Sequence, residues 1–534
     1  MGSCPKGQEL FIYENWENKM KNRFDWKAYA NIARRAAAES CVLLRNENET
    51  LPLKQEEKIA VFGRSQFNYY KSGTGSGGMV NTAYVTDILS ALKNEESLTL
   101  DEEVLEAYES WLKDHPFDTG AGWAQEPWYQ EEMELPESFA VEAAKRNDAA
   151  LIVIGRTSGE DKDNSETEGS WFLTQTERDL LRKVCAAFSR TIVLLNVGNI
   201  IDMKWVDEFQ PSAVMYVWQG GQEGGNGVAD VLMGRISPCG KLPDTIADYP
   251  SSANYGNDRQ NRYEEDIYVG YRYFETFSRD CVKYPFGFGL SYTDFALRIG
   301  LKAAEREILA SALVINTGNH SGKEVVQIYL EKPQGKLGQP ARQLVAFAKT
   351  KTLRPDEDEK LLIHIPLESL ASFDDSGITG HPNAWVMEEG EYTFYAGTDV
   401  RSAGRAGALR IAETFVVQQC EEALAPEISF QRIRPVMEVK ITEPGPFDEQ
   451  PLKEEIFTRS EEMVPTRTVA PADRRAERIP EELPYTGDTG IRLTDVAKGE
   501  ALLPDFIAQL SDEDLCAIVR GEGMCSPKVT PGTA

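Results

Sequence analysis

The spacing of the apolar residues along this chain changes between residues 245 and 293, and this change limits the possible folds more than any other feature. Up to about residue 245, short and almost wholly apolar runs alternate with segments in which apolar residues recur at helical spacing. The apolar runs are CVLLRN, KIAVFG, ALIVIG, TIVLLN and AVMYVW, which begin at residues 41, 58, 150, 191 and 213. The helical segments are Asp25–Ser40, Asp87–Leu92, Gln175–Phe188 and Glu223–Met233. Strands that are apolar on both faces and alternate with helices predict a mostly parallel sheet covered on both sides, a doubly wound α/β sandwich.

After residue 293 the pattern is that of strands alone. Gly, Asn, Asp and Pro separate the β-type runs ASALVIN, KEVVQIYLE, RQLVAFAK, EKLLIHIP and GEYTFYAG. This pattern predicts an antiparallel β-sandwich that ends near Val417. Residues 421–490 are rich in Pro and Glu with little periodicity, which predicts a linker or a wrapping segment. A last helix is expected over Ser511–Arg520.

The charge and the cysteines of the chain narrow the classes of partner. A formal net charge of −29 and a pI of about 4.7 argue against nucleic acid and anionic membranes. This acidity is compatible with a neutral ligand, and equally with a role in solubility alone. The eight cysteines form no CxxC pair and no Cys/His cluster with metal spacing. Because residues 1–16 show no long apolar segment, and no stretch approaches the length of a membrane-spanning helix, a cytoplasmic location is expected.

An acidic loop follows the ALIVIG run, in the sequence GRTSGEDKDNSETEGSWFLT from Gly155 to Thr174. Ligands of open α/β sheets bind outside the carboxyl ends of the strands, and a carboxylate there acts as a general acid when its surroundings raise its pKa. On composition alone, a solvated acidic loop is the simpler interpretation. No DxDxDG spacing supports a calcium loop. The carboxylates of this loop are Glu160, Asp161, Asp163, Glu166 and Glu168.

A glycine-rich loop, KSGTGSGG from Lys71 to Gly78, follows the KIAVFG run. Such a loop can present backbone N–H groups to a ligand. It is not a Walker A loop, because Lys71 precedes the glycines and no GK[ST] ends it, and it is not a GxGxxG fingerprint. Taken by itself, a flexible surface loop is an equal alternative.

Four longer motifs point to a known family. They are AESCVLLRNENETLPL, VWQGGQEGGNGVADVLMGRISPCGKLPDTI, YEEDIYVGYRYFET and YPFGFGLSYT, beginning at residues 38, 217, 263 and 284. In this order they resemble the α/β sandwich domain of glycoside hydrolase family 3, and the β-runs after them resemble its fibronectin type III-like domain. The resemblance covers about residues 25–420.

The resemblance implies an unusual domain order. Family members commonly begin with a (β/α)8 barrel, whereas here the sandwich comes first and LSDEDLCAIVRGEGMCSPKVTPGTA at the end is similar to the start of the barrel in permuted members. We therefore expect a truncated barrel, as one half of a split enzyme, a cut chain or a remnant of a frame break. The expected divisions are a leader 1–24, the α/β domain 25–293, the fibronectin-like domain 294–420, a linker 421–500 and a barrel start 501–534.

The family's mechanism is double displacement with retention. In similar proteins the acid/base is a Glu in a GE or GExxxxEG pattern, which corresponds here to Glu160, with Glu168 as the competing choice and Glu166 behind it. The resemblance further implies that Arg156 and Asp161 contact substrate. Arg156 would also orient the acidic loop, with a surface salt bridge as the equal alternative. A loop on the leaving-group side corresponds to Lys71, Ser72, Gly73, Gly75 and Ser76.

The nucleophile of the family belongs to an Asp-Trp motif late in the barrel. The Asp25–Trp26 pair lies in a predicted helix and is interpreted as structural. The expected activity is therefore that of a portion of a β-glucosidase in cellulose or oligosaccharide degradation, acting on a β-glucoside or a short β-gluco-oligosaccharide. It would need the barrel as a second chain or as a covalent continuation. A β-xylosidase or related exo-glycosidase and a non-catalytic carbohydrate-binding module stay open. The resemblance implies no metal and no cofactor.

Overall fold

The computed structural model describes residues 25–78, 82–160, 162–248, 262–442 and 452–520. Within these residues the chain forms two units. The larger comprises residues 25–78, 82–421 and 429–464, and the smaller comprises residues 422–428 and 465–520. None of the described helices is long and apolar enough to cross a membrane.

The α/β part of the larger unit is built on a six-stranded sheet. Its strands are β1 Val42–Asn46, β2 Glu57–Phe62, β3 Leu98–Leu100, β4 Ala149–Arg156, β5 Thr191–Val197 and β6 Ala213–Tyr216. The spatial order is β1-β6-β5-β4-β2-β3, and neighbouring strands are parallel except for β1, which pairs antiparallel with β6 at one edge. Every residue of β4, β5 and β6 is buried, as expected for strands that helices cover on both faces.

Helices cover both faces of this sheet. They are α1 Trp26–Ser40, α2 Ile88–Lys93, α3 Glu102–Leu112, α4 Glu137–Arg146, α5 Gln175–Ala187, α6 Trp205–Phe209 and α7 Gly224–Leu232. Alternate residues of one strand enter two separate apolar cores: Ala60 and Phe62 of β2 enter one, Ile59 and Val61 the other. Residues two apart on a strand point to the same face. The sequence prediction of a doubly wound sheet is therefore confirmed.

The rest of the larger unit is mainly antiparallel. The short strands β7 Ile246–Ala247 and β8 Val282–Tyr284 pair with each other, and the helix α8 Tyr271–Phe277 lies between them in sequence. The strands that follow are β9 Phe295–Ala303, β10 Glu307–Asn316, β11 Val325–Glu331, β12 Gln343–Lys349, β13 Asp358–Pro366, β14 Ser372–Asp374, β15 Ala384–Met387, β16 Gly390–Gly397, β17 Gly404–Ile411 and β18 Phe415–Gln419. They form three sheets, ordered β13-β10-β9, β12-β11-β16-β17 and β14-β15-β18. In β10, buried and half-buried residues alternate along its whole length, which confirms the predicted sandwich.

The segment predicted as a linker contains a long hairpin, β19 Gln431–Thr442 paired with β20 Leu452–Met463. Apolar periodicity did not predict it, because ion pairs anchor its base. Arg432 pairs with Glu462 across the hairpin, and with Asp375 of the sandwich. In this hairpin Ile433 belongs to an apolar core, which it shares with Tyr268 and α8.

The described part of the smaller unit is helical. It holds α9 Pro471–Glu477, α10 Leu493–Ala497, α11 Leu503–Ala508 and α12 Asp512–Arg520, and α12 confirms the helix expected over Ser511–Arg520. The Gln509 side chain is buried and accepts hydrogen bonds from the backbone of Thr489 and Ile491. The predicted leader, residues 1–24, lies outside the described residues. So do residues 521–534, the last part of the predicted barrel start.

Candidate active site

The acidic loop and the glycine-rich loop meet at the carboxyl edge of the sheet. The glycine-rich loop follows β2 and the acidic loop follows β4, which lies beside β2 in the sheet. Thr74 N donates to Ser158 O at 2.6 Å, and Thr74 Oγ1 donates to Glu160 O at 2.9 Å. The two stretches that the sequence singled out separately therefore form one site.

Glycines allow this close approach. A Cβ at Gly73 would lie 2.4 Å from Ser158 O. Gly75 has a φ of +71°, and a Cβ there would lie 2.6 Å from the Glu160 Cβ and 2.7 Å from its Oε2. Residues other than glycine rarely adopt a backbone conformation with such a positive φ. The glycines thus have a definite role, which is to let one loop pack against the other.

Glu160 is the carboxylate that this contact positions. Its side chain is exposed, while its backbone carbonyl is held by Thr74. The preceding Gly159 forms bridges to Thr74 on one side and to Lys162 on the other. Glu160 therefore presents its carboxyl to solvent from a backbone position that the glycine-rich loop fixes, a geometry compatible with acid/base chemistry.

Glu168 lies in a separate tight turn of the acidic loop. Gly169 N donates to Phe172 O at 2.8 Å, and a Cβ at Gly169 would lie 2.0 Å from the Tyr129 ring. Glu166 and Glu168 are both exposed. Within the described residues, no hydrogen bond joins either side chain to the glycine-rich loop. Of the three glutamates, Glu160 is the one for which the structure shows a contact with the glycine-rich loop.

The structure corrects two of the roles predicted for Arg156, and the orienting of the acidic loop stays a prediction. The side chain is fully buried, so it is neither a substrate contact nor part of a surface salt bridge. Its guanidinium forms two hydrogen bonds of 2.5 Å to the Glu177 carboxylate and lies 5.7 Å from the centre of the Tyr129 ring. Glu177 also forms a capping box with Thr174 at the start of α5. Since these residues lie at the two ends of the acidic loop, the ion pair joins those ends.

The structure describes only some of the other residues predicted to bind substrate. Lys71 and Ser72 are half-buried, with 3.4 Å between Lys71 Nζ and Ser72 Oγ. Lys71 O accepts a hydrogen bond from Gly221 N at 2.9 Å, which ties the loop to the turn before α7. Asp161 and the side chain of Ser76 lie outside the described residues. The described residues contain no group of three or more His, Cys, Asp or Glu side chains that could hold a metal ion.

Asn196, at the end of β5, is a positioning residue that the sequence reasoning missed. It is fully buried. Its Oδ1 accepts from Tyr70 N at 2.8 Å, and its Nδ2 donates to Tyr70 O at 2.9 Å and to Trp218 O at 2.6 Å. The amide thus fixes the start of the glycine-rich loop to the turn after β6. The available signal was a polar residue that ends an otherwise apolar run, TIVLLN.

A second residue that the sequence reasoning missed, the carboxylate Glu132, supports the turn after β2. It accepts hydrogen bonds of 2.9 Å from Arg64 N and from Met133 N. Tyr108 is a neighbour of Glu132, and its hydroxyl accepts a hydrogen bond from Gly63 N at 2.8 Å. Burial raises the pKa of Glu132 to about 7, against the opposing effect of the two backbone hydrogen bonds. This carboxyl holds the turn from within the protein, away from solvent.

Comparison with known proteins gives consistent matches. Residues 41–292 match the glycosyl hydrolase family 3 C-terminal domain, and residues 324–400 match the fibronectin type III-like domain. The chain is 51% identical over 516 residues to a beta-glucosidase of Ruminococcus albus, covering 96% of this chain and 52% of that protein. It is 34% identical over 550 residues to beta-glucosidase A of Butyrivibrio fibrisolvens, covering 91% of this chain and 64% of that protein.

Solved structures agree with these matches. A beta-glucosidase from Paenibacillus barengoltzii superposes with a TM-score of 0.86 at 48% identity, covering 95% of this chain and 55% of that one. Beta-glucosidase 3B from Thermotoga neapolitana, in complex with alpha-D-glucose, superposes with a TM-score of 0.67 at 38% identity, covering 74% and 55%. The chain therefore spans between about half and two thirds of the length of these relatives.

Proposed function

The chain belongs to glycoside hydrolase family 3, and on that premise we propose that it supplies the general acid/base and the leaving-group side of a retaining β-glucosidase. The proposed substrate is a β-glucoside or a short β-gluco-oligosaccharide with a terminal non-reducing glucose. The proposed acid/base is Glu160. The observation that supports this assignment is the contact between Glu160 and Gly75, which joins the acidic loop to the glycine-rich loop.

The chemistry would proceed in two displacements. In the first, a carboxylate nucleophile attacks the anomeric carbon while Glu160, as a carboxylic acid, gives its proton to the glycosidic oxygen, and the bond between that carbon and oxygen breaks. In the second, Glu160 as a carboxylate removes a proton from water, whose oxygen attacks the anomeric carbon and releases the nucleophile. Both carboxyl groups return to their starting states. Retention requires the two carboxyls to be only about 5–5.5 Å apart.

The nucleophile would come from a (β/α)8 barrel, as it does in the family that this chain resembles. The barrel would be either a second chain or a covalent continuation of this one. The anomeric carbon of the substrate bound to the barrel must face the exposed side of Glu160. The glycine-rich loop, from Lys71 to Ser76, would then border the leaving group and contribute shape and backbone hydrogen bonds rather than bond making.

The test is hydrolysis of 4-nitrophenyl β-D-glucoside by this chain alone, and then in the presence of a family 3 barrel domain supplied as a separate polypeptide or fused to it. The matched substrate is 4-nitrophenyl β-D-xyloside. We expect activity only with the barrel, and a preference for the glucoside. Activity of the chain alone would show that the nucleophile lies within it. No activity with the barrel would favour the carbohydrate-binding module, and a preference for the xyloside would favour a β-xylosidase.

A further inference from the structure

A cavity of about 250 Å³ lies in the larger unit, away from the acidic loop. It is enclosed by the segment around α8, the residues that follow β11, the strands β14 and β15, and the base of the β19–β20 hairpin. Its volume lies just below the usual range for ligand pockets in proteins. Side chains that line it include Arg272, Lys332, Gln339, Phe373, Trp385 and Arg432.

Lys332 is the most unusual of these side chains. The residue is only 6% exposed. Its Nζ donates to Ala371 O at 2.8 Å and to Ser372 Oγ at 3.0 Å, and no carboxylate among the described residues forms an ion pair with it. An ammonium carries three donors, so one donor has no partner in the described part of the chain. Burial, and then the neighbouring Arg272 guanidinium, lower the pKa of Lys332 to about 7.

Arg272 is a second cation for which the described part of the chain supplies no carboxylate partner. It is half-buried, and its guanidinium makes neither a hydrogen bond nor an ion pair with any described residue. The carboxylates of the cavity are already engaged, since Asp266 and Asp375 both pair with Arg432. The cavity therefore contains positive charge that its own acids do not balance, in a chain whose net charge is −29.

Polar and aromatic groups complete the lining. Gln339 is buried, and its Oε1 accepts from Ser372 Oγ at 3.1 Å. Its Nε2 donates no hydrogen bond within the described residues. At the rim, Phe373 and Trp385 are 38% and 41% exposed, with ring centres 5.4 Å apart. The interior thus offers donors in excess of acceptors, and the rim offers an apolar surface.

We propose that this cavity is a binding site for a small anion, about the size of a monosaccharide or smaller, that carries a carboxylate or a phosphate group. The anion would lie between Arg272 and Lys332 and accept from Gln339 Nε2. Arg and Lys donors form shorter and stronger hydrogen bonds with such oxyanions than neutral groups do. The apolar part of a larger ligand would contact Trp385.

These two cations lack, among the described residues, the counter-charge that the protein supplies to a buried arginine of the same cavity. Burying an ammonium without a counter-charge costs free energy. The hairpin shows how this protein stabilises a structural arginine, since Arg432 has three carboxylate partners. Among the described residues, Arg272 and Lys332 have none in the same cavity. A bound anion would supply the missing counter-charge, and this inference does not depend on the proposed glycosidase activity.

The experiment is isothermal titration calorimetry on the full chain, in a buffer free of phosphate and carboxylates. The probes are inorganic phosphate, glucose 6-phosphate and glucuronate, with glucose as the neutral control. The variants are Arg272→Gln and Lys332→Gln. The matched control is Arg306→Gln, which removes an exposed arginine that pairs with Glu368. Circular dichroism verifies that each variant is folded, and Arg272→Gln alone suffices if Lys332→Gln does not fold.

We expect at least one of the three anions to bind, glucose not to bind at the same concentration, and Arg272→Gln to weaken anion binding by roughly tenfold or more. Arg306→Gln should bind as the parent chain does. Binding of phosphate alone would identify a phosphate site, and binding of glucuronate alone a carboxylate site. The proposal is overturned if no anion binds at millimolar concentration, if Arg272→Gln leaves binding unchanged, or if glucose binds as tightly as glucose 6-phosphate.

Discussion

Gly75 and Glu160 lie in direct contact, although 85 positions separate them in the sequence. A Cβ added at Gly75 would come within 2.7 Å of Glu160 Oε2. The carbonyl of Glu160 is held from the same loop by Thr74. The position of this carboxylate therefore depends on the conformation of a loop that follows a different strand. A change in either loop would move the Glu160 carboxylate.

The first prediction concerns this contact. Gly75→Ala should lower kcat/KM for an aryl β-glucoside by roughly ten- to a hundredfold in the barrel-completed enzyme, because the new methyl group both strains a positive φ and displaces the carboxylate. Gly77→Ala is the matched control, since a Cβ at Gly77 meets nothing within 4 Å. Steady-state kinetics of the two variants decide the question. Equal losses in both would contradict the specific contact.

The second prediction concerns Asn196. Asn196→Ala removes three buried hydrogen bonds to the backbone of Tyr70 and Trp218, and should lower the free energy of unfolding by about 2–3 kcal/mol. Asn199→Ala, which removes an exposed hydrogen bond to Asn164, should change it by only about 0.5 kcal/mol. Urea unfolding followed by tryptophan fluorescence measures both. A loss for Asn196→Ala no larger than for the control would rule out this anchoring role.

The third prediction separates a buried ion pair from an exposed one. Arg156→Met leaves the Glu177 carboxylate buried without its partner, and should destabilise the protein by about 3–5 kcal/mol. Arg178→Met breaks the exposed pair with Glu208, and should cost about 1 kcal/mol or less. The difference between their urea midpoints tests the burial of the Arg156–Glu177 ion pair. Similar small effects would indicate that the arginine is solvated rather than buried.

The fourth prediction concerns pH. The pKa of Glu132 is raised to about 7 in the folded state, so between pH 4.5 and 7 the folded protein keeps a proton that the unfolded chain has lost. Stability therefore falls as pH rises through this range, by up to about 3 kcal/mol from this group. Glu132→Gln lacks the titrating carboxyl. The parent's free energy of unfolding, relative to the variant's, should be higher at pH 5 than at pH 7.5, and a pH-independent difference would contradict the assignment.

The sheet of the α/β domain could be predicted closely from the sequence. The ALIVIG run became β4 Ala149–Arg156 and the TIVLLN run became β5 Thr191–Val197, because strands buried on both faces are apolar without interruption. The β19–β20 hairpin could not be predicted in this way. Its anchoring charges on Arg432, Asp375 and Glu462 are far apart in sequence, and their pairing is visible only after folding.

The sequence indicates the parts of the candidate site but not how they come together. Glu160 and the glycine-rich loop were both identified by resemblance, and neither pattern indicated that Gly75 touches Glu160. The burial of Arg156 depends on Glu177, which lies 21 residues further on, beyond any local pattern. The role of Asn196 depends on the backbone of Tyr70 and Trp218, and a single polar residue at a strand end does not reveal its partners.

The central claim, that Glu160 is the acid/base, is tested most directly by azide rescue in the barrel-completed enzyme. Glu160→Ala should lower kcat about 10²–10⁴-fold for a glucoside with a poor leaving group, much less for 2,4-dinitrophenyl β-glucoside, and azide should restore turnover of the latter with formation of glucosyl azide. Glu168→Ala should show neither the loss nor the rescue. Rescue of Glu168→Ala, with Glu160→Ala as active as the parent, would contradict the assignment.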